Sequence, residues 1–163
     1  MLGSFCREID SEGNIVGVWE RPTADRNLKK ELFRRNPFIH SSVMLRREVF
    51  SVVGLYNESM HFAQDYELWL RVAGHFDLAN LPEPLIDLRV DWYKLAKKNR
   101  KARRYELIIL SRYIRSKSLS VWYYVYLLRP FLLSLIPTRL AMRMKGIQRS
   151  LRQKKNQNKG VSQ

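Results

Sequence analysis

The uneven division of charge along this chain of 163 residues constrains its folding more than any other feature. Residues 1–92 carry 11 basic and 14 acidic side chains, whereas residues 93–163 carry 19 basic side chains and a single acid, Glu106. Apolar residues make up 45% of the chain, which is ordinary for a folded protein. We therefore predict a folded segment over residues 1–92, joined near Trp92 to a basic segment with a different electrostatic role.

The basic segment predicts an anionic partner, either phospholipid head groups, nucleic acid or a phosphate-bearing substrate. No nucleic-acid recognition motif accompanies the charges, so nucleic acid is the least favoured of the three. The single cysteine, Cys6, excludes an internal disulfide and a cysteine-based zinc site, which fits a reducing compartment. The first six residues have no basic leader or long apolar run, so we expect no secretory signal.

Residues 1–92 predict short strands and helices in alternation, which is an α/β pattern. We expect a hairpin, with strands at residues 2–9 and 15–19 joined by a turn at residues 10–14. A short helix through Phe33 follows, with Thr23 or Asp25 as its cap.

The second half of this segment also alternates. The pattern predicts a buried strand at residues 38–45 and a helical turn at residues 46–52 that Gly54 closes. A helix that begins at Gln64 and ends at Gly74 comes next. Two short strands, at residues 76–81 and 85–90, are expected on either side of Pro82 and Pro84.

Asp65 lies at the start of the helix predicted from Gln64, and two interpretations of it remain open. Backbone N–H groups at a helix start lack internal partners, so the carboxylate can simply cap the helix. Alternatively, Asp65 is a catalytic base that the helix holds in a fixed geometry. Spacing alone does not separate these interpretations.

The basic segment predicts helices with one apolar face. Residues 93–117 place Ala102, Tyr105, Ile109 and Tyr113 on one face of a basic amphipathic helix. Residues 121–136 are apolar and aromatic but are interrupted by Arg129 and Pro130, so they suit the head-group boundary of a bilayer better than its core. Residues 139–151 predict a further basic amphipathic stretch, and residues 153–163 predict disorder. The alternative is that these apolar faces pack on the first segment while the charges are solvated.

Taken in order, residues 2–92 resemble the second half of the catalytic domain of glycosyltransferase family 2, which has the GT-A fold. The resemblance depends on six short pieces at sensible separations: Gly3-Ser4 in a strand, Asp10-Ser-Glu-Gly13, Asn36-Pro-Phe-Ile-His-Ser-Ser-Val-Met44, Val53-Gly-Leu-Tyr-Asn57, Ala63-Gln-Asp-Tyr-Glu-Leu-Trp-Leu-Arg71 and Leu81-Pro-Glu-Pro-Leu-Ile-Asp-Leu-Arg89. The implied fold is a partial GT-A domain at residues 1–92, followed by a basic helical tail at residues 93–152.

The resemblance implies roles for individual residues. Asp65 matches the aspartate of the family's Glu-Asp or Gln-Asp motif, and it would be the general base of an inverting sugar transfer. Gln64 precedes it in that motif. The resemblance places His40, Ser41 and Ser42 on the acceptor side of the site.

Arg89 matches the arginine of an Arg-x-His motif near the phosphates in many members of the family. In this chain Asp91 occupies the histidine position, which weakens a phosphate or metal role for this motif. Tyr66 and Trp69 are expected to pack the helix rather than to touch substrate.

The family's nucleotide-binding half and its metal-carrying Asp-x-Asp motif have no counterpart among these 163 residues. The resemblance implies a divalent Mg²⁺ or Mn²⁺ ion for the complete enzyme. Because the motif that would hold this ion is absent, we assign no metal ligand in this chain. The partners implied for the complete enzyme are a nucleotide-sugar donor and a saccharide or lipid-linked acceptor.

Two hypotheses follow. The first is an inverting glycosyltransferase, or its acceptor-side fragment, at the cytoplasmic face of a membrane with an anionic surface. The second is a non-catalytic membrane-surface or partner-binding module derived from such an enzyme.

Overall fold

The computed structural model describes residues 1–136, except for the side chains of residues 92–101. The elements are β1 (Leu2–Ile9), β2 (Ile15–Trp19), α1 (Asp25–Leu32), a 3-10 helix (His40–Ser42), α2 (Glu48–Val53), α3 (Gln64–Ala73), β3 (Ala79–Arg89), α4 (Trp92–Ser116), a second 3-10 helix (Val121–Leu127) and α5 (Leu128–Leu135). This is a mixed α/β architecture, as the sequence predicts. The stretches expected at residues 139–151 and 153–163 lie outside the described residues.

The predicted hairpin is confirmed. β1 pairs with β2 in the antiparallel direction, from Cys6 opposite Trp19 to Ile9 opposite Ile15. In the turn between them the Asp10 carboxylate accepts the backbone N–H groups of Glu12 and Asn14 at 3.0 and 2.9 Å. Such side-chain to backbone bonds are how aspartate stabilises a tight turn. The three strands form one sheet in the order β2-β1-β3.

The two strands predicted on either side of Pro82 and Pro84 are instead a single strand, β3, which pairs with β1 in the parallel direction. Its register shifts between the pairs Ser4–Leu81 and Phe5–Pro84, and again before Cys6. Proline has no N–H to give to a neighbouring strand, so these shifts absorb the two prolines without ending the strand. The prediction is wrong because it treated the prolines as strand breaks.

The buried strand predicted at residues 38–45 is also wrong. Phe38 is buried, but the backbone then turns through the 3-10 helix, and a single bridge joins Met44 to Leu2. The side chain of Met44 is exposed. The Ser42 hydroxyl stabilises the turn by donating to the Ile39 carbonyl at 3.0 Å. A local side-chain bond of this kind competes with strand pairing.

The expected cap of α1 is not found at Thr23 or Asp25. Ala24 occupies the cap position without a side-chain hydrogen bond, and Asp25 is the first helical residue. The Asp25 carboxylate instead accepts the backbone N–H of Leu78 at 2.8 Å. The expected glycine after α2 is confirmed, because Gly54 has a φ of 78° that favours glycine.

The hydrophobic core is formed by α1, α3 and the second half of α4. Its fully buried members include Leu28, Leu68, Trp69, Ile109 and Leu110. The helix expected in the basic segment is observed at Trp92–Ser116, and its Ile109 packs inward as the pattern predicts. The apolar side of α4 therefore packs on the first segment. The boundary near Trp92 stays a prediction, and so does the basic side of the helix predicted over residues 93–117 where the side chains are not described.

None of the helices within residues 1–136 combines the length and the apolar character needed to cross a membrane.

Candidate functional site

The site begins at the start of α3, where the backbone is strained. Ala63 has φ and ψ of 57° and 26°, a left-handed conformation that is uncommon for a residue other than glycine. Such a conformation costs of order 1–3 kcal/mol and persists where the surrounding structure enforces it. It turns the chain so that Gln64 is exposed and Asp65 becomes the second residue of the helix.

Asp65 is not the N-cap of α3, because Ala63 holds that position and makes no side-chain cap bond. Its carboxylate is half-buried, and Oδ1 accepts the backbone N–H of Tyr66 at 2.9 Å. Asp65 thus satisfies one of the N–H groups that a helix start leaves unpaired, although it does not hold the cap position that the first interpretation gives it. It also remains partly open to solvent, as a base must be.

The Asn36 side chain holds the other carboxylate oxygen in place. Asn36 Nδ2 donates to Asp65 Oδ2 at 3.0 Å, while Asn36 Oδ1 accepts the backbone N–H of Phe38 at 3.0 Å. Because Phe38 supplies a donor, the amide must turn its own donor toward Asp65. The orientation of the carboxylate is therefore determined by the backbone of the neighbouring loop.

That loop is itself held by a buried amide. Asn80 Nδ2 donates to the carbonyls of Pro22 and Pro37 at 3.1 and 3.2 Å, which ties the residue after Asn36 to β3. A side chain at position 3 would lie 2.4 Å from Asn80 Oδ1, so the glycine there makes room for this amide.

The charge of Asp65 acts on Tyr56, and His40 contacts both Tyr56 and Trp69. His40 Nε2 lies 3.1 Å from the Tyr56 hydroxyl, and the His40 ring meets the edge of Trp69 at a centroid distance of 6.1 Å. Burial raises the pKa of Tyr56, and the negative charge of Asp65 raises it further, so this phenol stays protonated at neutral pH. Trp69 follows Asp65 by four residues and so lies on the same side of α3.

α3 also positions the loop that carries Tyr56. Arg71 pairs with Glu67 at 2.8 Å and donates to the backbone carbonyls of Val53 and Leu55, the latter at 2.8 Å. One helix therefore displays Asp65 at its start and holds the neighbouring aromatic loop at its end. We refer to Asn36, His40, Tyr56 and Asp65 as the Asp65 cluster.

The other predicted acceptor-side residues have different surroundings. Ser41 and Gln64 are exposed. The Ser42 hydroxyl accepts the backbone N–H of Ser4 at 3.1 Å and donates to the Ile39 carbonyl, so it ties the 3-10 helix to β1. Their roles in binding an acceptor stay predictions.

Arg89 lies apart from the Asp65 cluster. It pairs with Ile9 in the sheet, five positions along β1 from Ser4, which corresponds to roughly 17 Å. Its guanidinium donates to the backbone carbonyls of Asp10 and Ser11 at 2.7 and 2.6 Å, on the side away from Ser4. In the structure Arg89 stabilises the hairpin turn, and its proposed phosphate role is a prediction without a supporting contact.

Tyr66 and Trp69 pack as predicted. Both side chains are buried, and the Tyr66 hydroxyl donates to the Leu32 carbonyl. Burial raises the pKa of this phenol. Asn36 and Tyr56 are cluster members that the sequence did not single out, although both fall within the short pieces that carry the family resemblance.

Among residues 1–136 there is no group of three or more histidine, cysteine, aspartate or glutamate side chains that could hold a metal ion. The divalent ion expected for the complete enzyme stays a prediction.

Two curated proteins are similar to this chain over about half of its length, and both are glycosyltransferases. An uncharacterized glycosyltransferase of Haemophilus influenzae is 27% identical over 86 residues, which are 52% of this chain and 27% of that protein. The amylovoran biosynthesis glycosyltransferase AmsE of Erwinia amylovora is 33% identical over 91 residues, which are 55% of this chain and 33% of AmsE. The chain thus spans about a third of the length of these relatives. No protein-family model and no solved structure matches it.

Proposed function

We propose that this chain is the acceptor-side part of an inverting glycosyltransferase of family 2 with a GT-A fold, and that Asp65 is its general base. The observation that carries the proposal is the half-buried Asp65 carboxylate, which Asn36 orients and whose charge acts on Tyr56, a residue that His40 contacts. The similarity to two glycosyltransferases supports the class of reaction. The donor-binding part is supplied by residues outside these 163.

In this mechanism an acceptor hydroxyl loses its proton to Asp65 as its oxygen attacks the anomeric carbon of the donor sugar. The new bond forms between that oxygen and the anomeric carbon, and the bond from the anomeric carbon to the diphosphate oxygen breaks. The electron pair leaves with the nucleoside diphosphate, and the configuration inverts. Proton transfer to a positioned carboxylate of this kind contributes roughly 10²–10⁴-fold to rate.

The neighbours of Asp65 suit a sugar acceptor. Aromatic rings offer apolar surfaces to the C–H faces of a sugar, and a few polar groups fix its orientation. Tyr56, on which the charge of Asp65 acts, and His40, which contacts Tyr56, supply both ring surfaces and hydrogen-bonding atoms. The acceptor class proposed is a saccharide or a lipid-linked saccharide, bound on the side of α3 that carries Asp65.

We also propose that the protein works peripherally at the cytoplasmic face of a membrane. The support is that residues 93–163 carry 19 basic side chains and one acidic side chain, a charge that favours an anionic surface. A location at the membrane would keep the site close to lipid-linked acceptors. It would raise the encounter rate without altering the chemical step.

The decisive experiment replaces the base in the transferase that contains this chain together with its donor-binding part. We expect Asp65→Asn to lower the turnover number by roughly 10²-fold or more, because the amide accepts no proton. Release of nucleoside diphosphate and formation of the glycosylated product are both measured. Asp77→Asn is the matched control, since the Asp77 side chain is almost fully exposed and lies outside the Asp65 cluster. Turnover close to wild type in a folded Asp65→Asn variant would remove Asp65 from the role of base.

A further inference from the structure

The second 3-10 helix and α5 form one continuous segment whose two sides are both apolar. The inner side packs on the protein: the rings of Tyr123 and Tyr126 lie 5.0 and 5.7 Å from Phe33, and Pro130 is buried. The other side is exposed to solvent. Eight large apolar side chains of the segment are exposed, and we call all of them except Tyr124 the outer face: Val121, Trp122, Val125, Leu128, Phe131, Leu132 and Leu135.

The only charged residue between positions 121 and 135 is turned away from the outer face. Arg129 donates to the backbone carbonyl of Arg34 at 2.6 Å, at the end of α1. Burial lowers the pKa of Arg129, and the nearby charges of Arg103 and Arg35 lower it further. Arg129 interrupts the apolar run in the sequence, yet the outer face itself carries no charged side chain.

The outer face has more exposed apolar side chains close together in the chain than the single, scattered ones that any protein surface exposes. Trp122 is 81% exposed, and Leu128, Phe131, Leu132 and Leu135 recur at the spacing of one helix side. A concentration of exposed apolar side chains within 15 residues is typical of a binding surface.

The charges that flank the segment along the chain point to the occupant of the outer face. Arg112, Arg115 and Lys117 are exposed at the end of α4, just before the segment. Residues 137–163, which follow α5 directly, contain eight lysines and arginines and no acidic residue. Tryptophan and leucine flanked by lysine and arginine are typical of elements that lie in the interface of an anionic bilayer.

We propose that the outer face inserts into the interface of an anionic lipid bilayer while the cations that flank the segment in the sequence bind its head groups. The inner side keeps its contacts with Phe33, so the segment lies along the membrane as part of the folded protein. This inference depends on the proposed membrane location and is independent of the role of Asp65.

The test uses the 163-residue chain and vesicles of phosphatidylglycerol and phosphatidylcholine in equal amounts, with pure phosphatidylcholine for comparison. We expect sedimentation with the anionic vesicles and a blue shift of tryptophan emission that the Trp122→Phe variant no longer shows. The double variant Trp122→Ser, Phe131→Ser should weaken binding by roughly tenfold or more, because two large side chains leave the interface.

The matched control is the double variant Met44→Ser, Leu55→Ser. Both residues are apolar and 73% exposed, and they lie outside the outer face. Binding by this variant should equal that of the wild type. Circular dichroism checks that all variants fold.

Three outcomes would overturn the inference. Equal binding by wild type and the Trp122, Phe131 variant would show that charge alone attaches the chain, and would leave the membrane location intact. Absence of binding by the wild type would remove both the location and the inserted face, without bearing on Asp65. A dimer in light scattering that the Trp122, Phe131 variant disrupts would show that a second copy covers the face instead of lipid.

Discussion

α3 and α5 are both rich in apolar residues, but α3 buries most of them and α5 exposes most of them. In α3 five of the ten residues are buried, and the remaining polar residues display the Asp65 cluster and hold its loop. In α5 only Pro130 is buried, and four leucine and phenylalanine side chains face solvent. Apolar composition therefore predicts that a helix will bury a face, but it does not predict what covers that face.

The largest expected effect tests this difference directly with one pair of leucines. Leu68→Ala in α3 should lower the free energy of unfolding by roughly 2–5 kcal/mol, because Leu68 is 0% exposed and its removal leaves a cavity. Leu132→Ala in α5, where the side chain is 57% exposed, should change it by less than about 0.5 kcal/mol. Urea denaturation measures both. Equal losses would mean that the outer face is buried in solution and would end the comparison.

Asn36 offers a sharper test of the α3 side. Asn36→Asp would place a second carboxylate within about 3 Å of Asp65, and two such groups tend to share a proton. Because the proposed base must be ionised, activity should be lost at a higher pH than in the wild type as the pH falls. We expect roughly a tenfold lower rate at neutral pH that recovers at alkaline pH.

A pH–rate profile of the assembled transferase measures this effect. Asn36→Ala is the companion variant, since it removes the orienting amide without adding a charge. It should lower the rate without the displacement along the pH axis. A shift of similar size in both variants would contradict a positioning role for Asn36.

The smallest expected effect concerns Cys6, which lies in β1 with no exposed surface. Burial, and then the charge of Glu8, raises the pKa of its thiol to about 11. The folded state thus holds this proton more tightly than the unfolded state, where the thiol titrates near 9. The contribution of the protonated Cys6 thiol to the free energy of unfolding is fully present below pH 9. It declines as the pH rises toward 11, by about 1 kcal/mol at pH 10.

Cys6→Ala removes this contribution, so the difference between its pH dependence and that of the wild type isolates the thiol. In the same background, a Leu132→Cys variant gives the α5 counterpart. Its thiol should react with an alkylating reagent at the rate of an unfolded chain, whereas Cys6 reacts far more slowly. Fast labelling of Cys6 would show that the sheet is open to solvent.

Much of the fold is local in origin and could be predicted from the sequence. The hairpin follows from a turn that Asp10 can stabilise with its own side chain, and the end of α2 follows from Gly54. The errors occur where distant groups decide the backbone. Residues 38–45 turn instead of extending, since Ser42 finds partners both nearby and in β1. β3 continues through two prolines because β1 adjusts its register to them.

The candidate site likewise contains residues that could be predicted from the sequence and others that could not. Asp65 could be identified from its position at a helix start and from the family resemblance. Asn36 and Tyr56 could not be assigned to it, because they are 29 and nine residues away along the chain and only packing brings them to the carboxylate. Arg89 is the opposite case: the sequence assigned it to the site, but the structure places it at the far end of the sheet.

The sequence by itself determined the alternation of short strands and helices, the excess of positive charge after residue 92 and the presence of a carboxylate at the start of α3. These properties depend on residues close together in the chain or on simple counts. Only the tertiary structure decided that Asn36 orients this carboxylate and that Arg129 turns inward to leave an uncharged outer face. The physical reason is that both depend on hydrogen bonds between residues 29 and 95 positions apart, which form only once the core has packed.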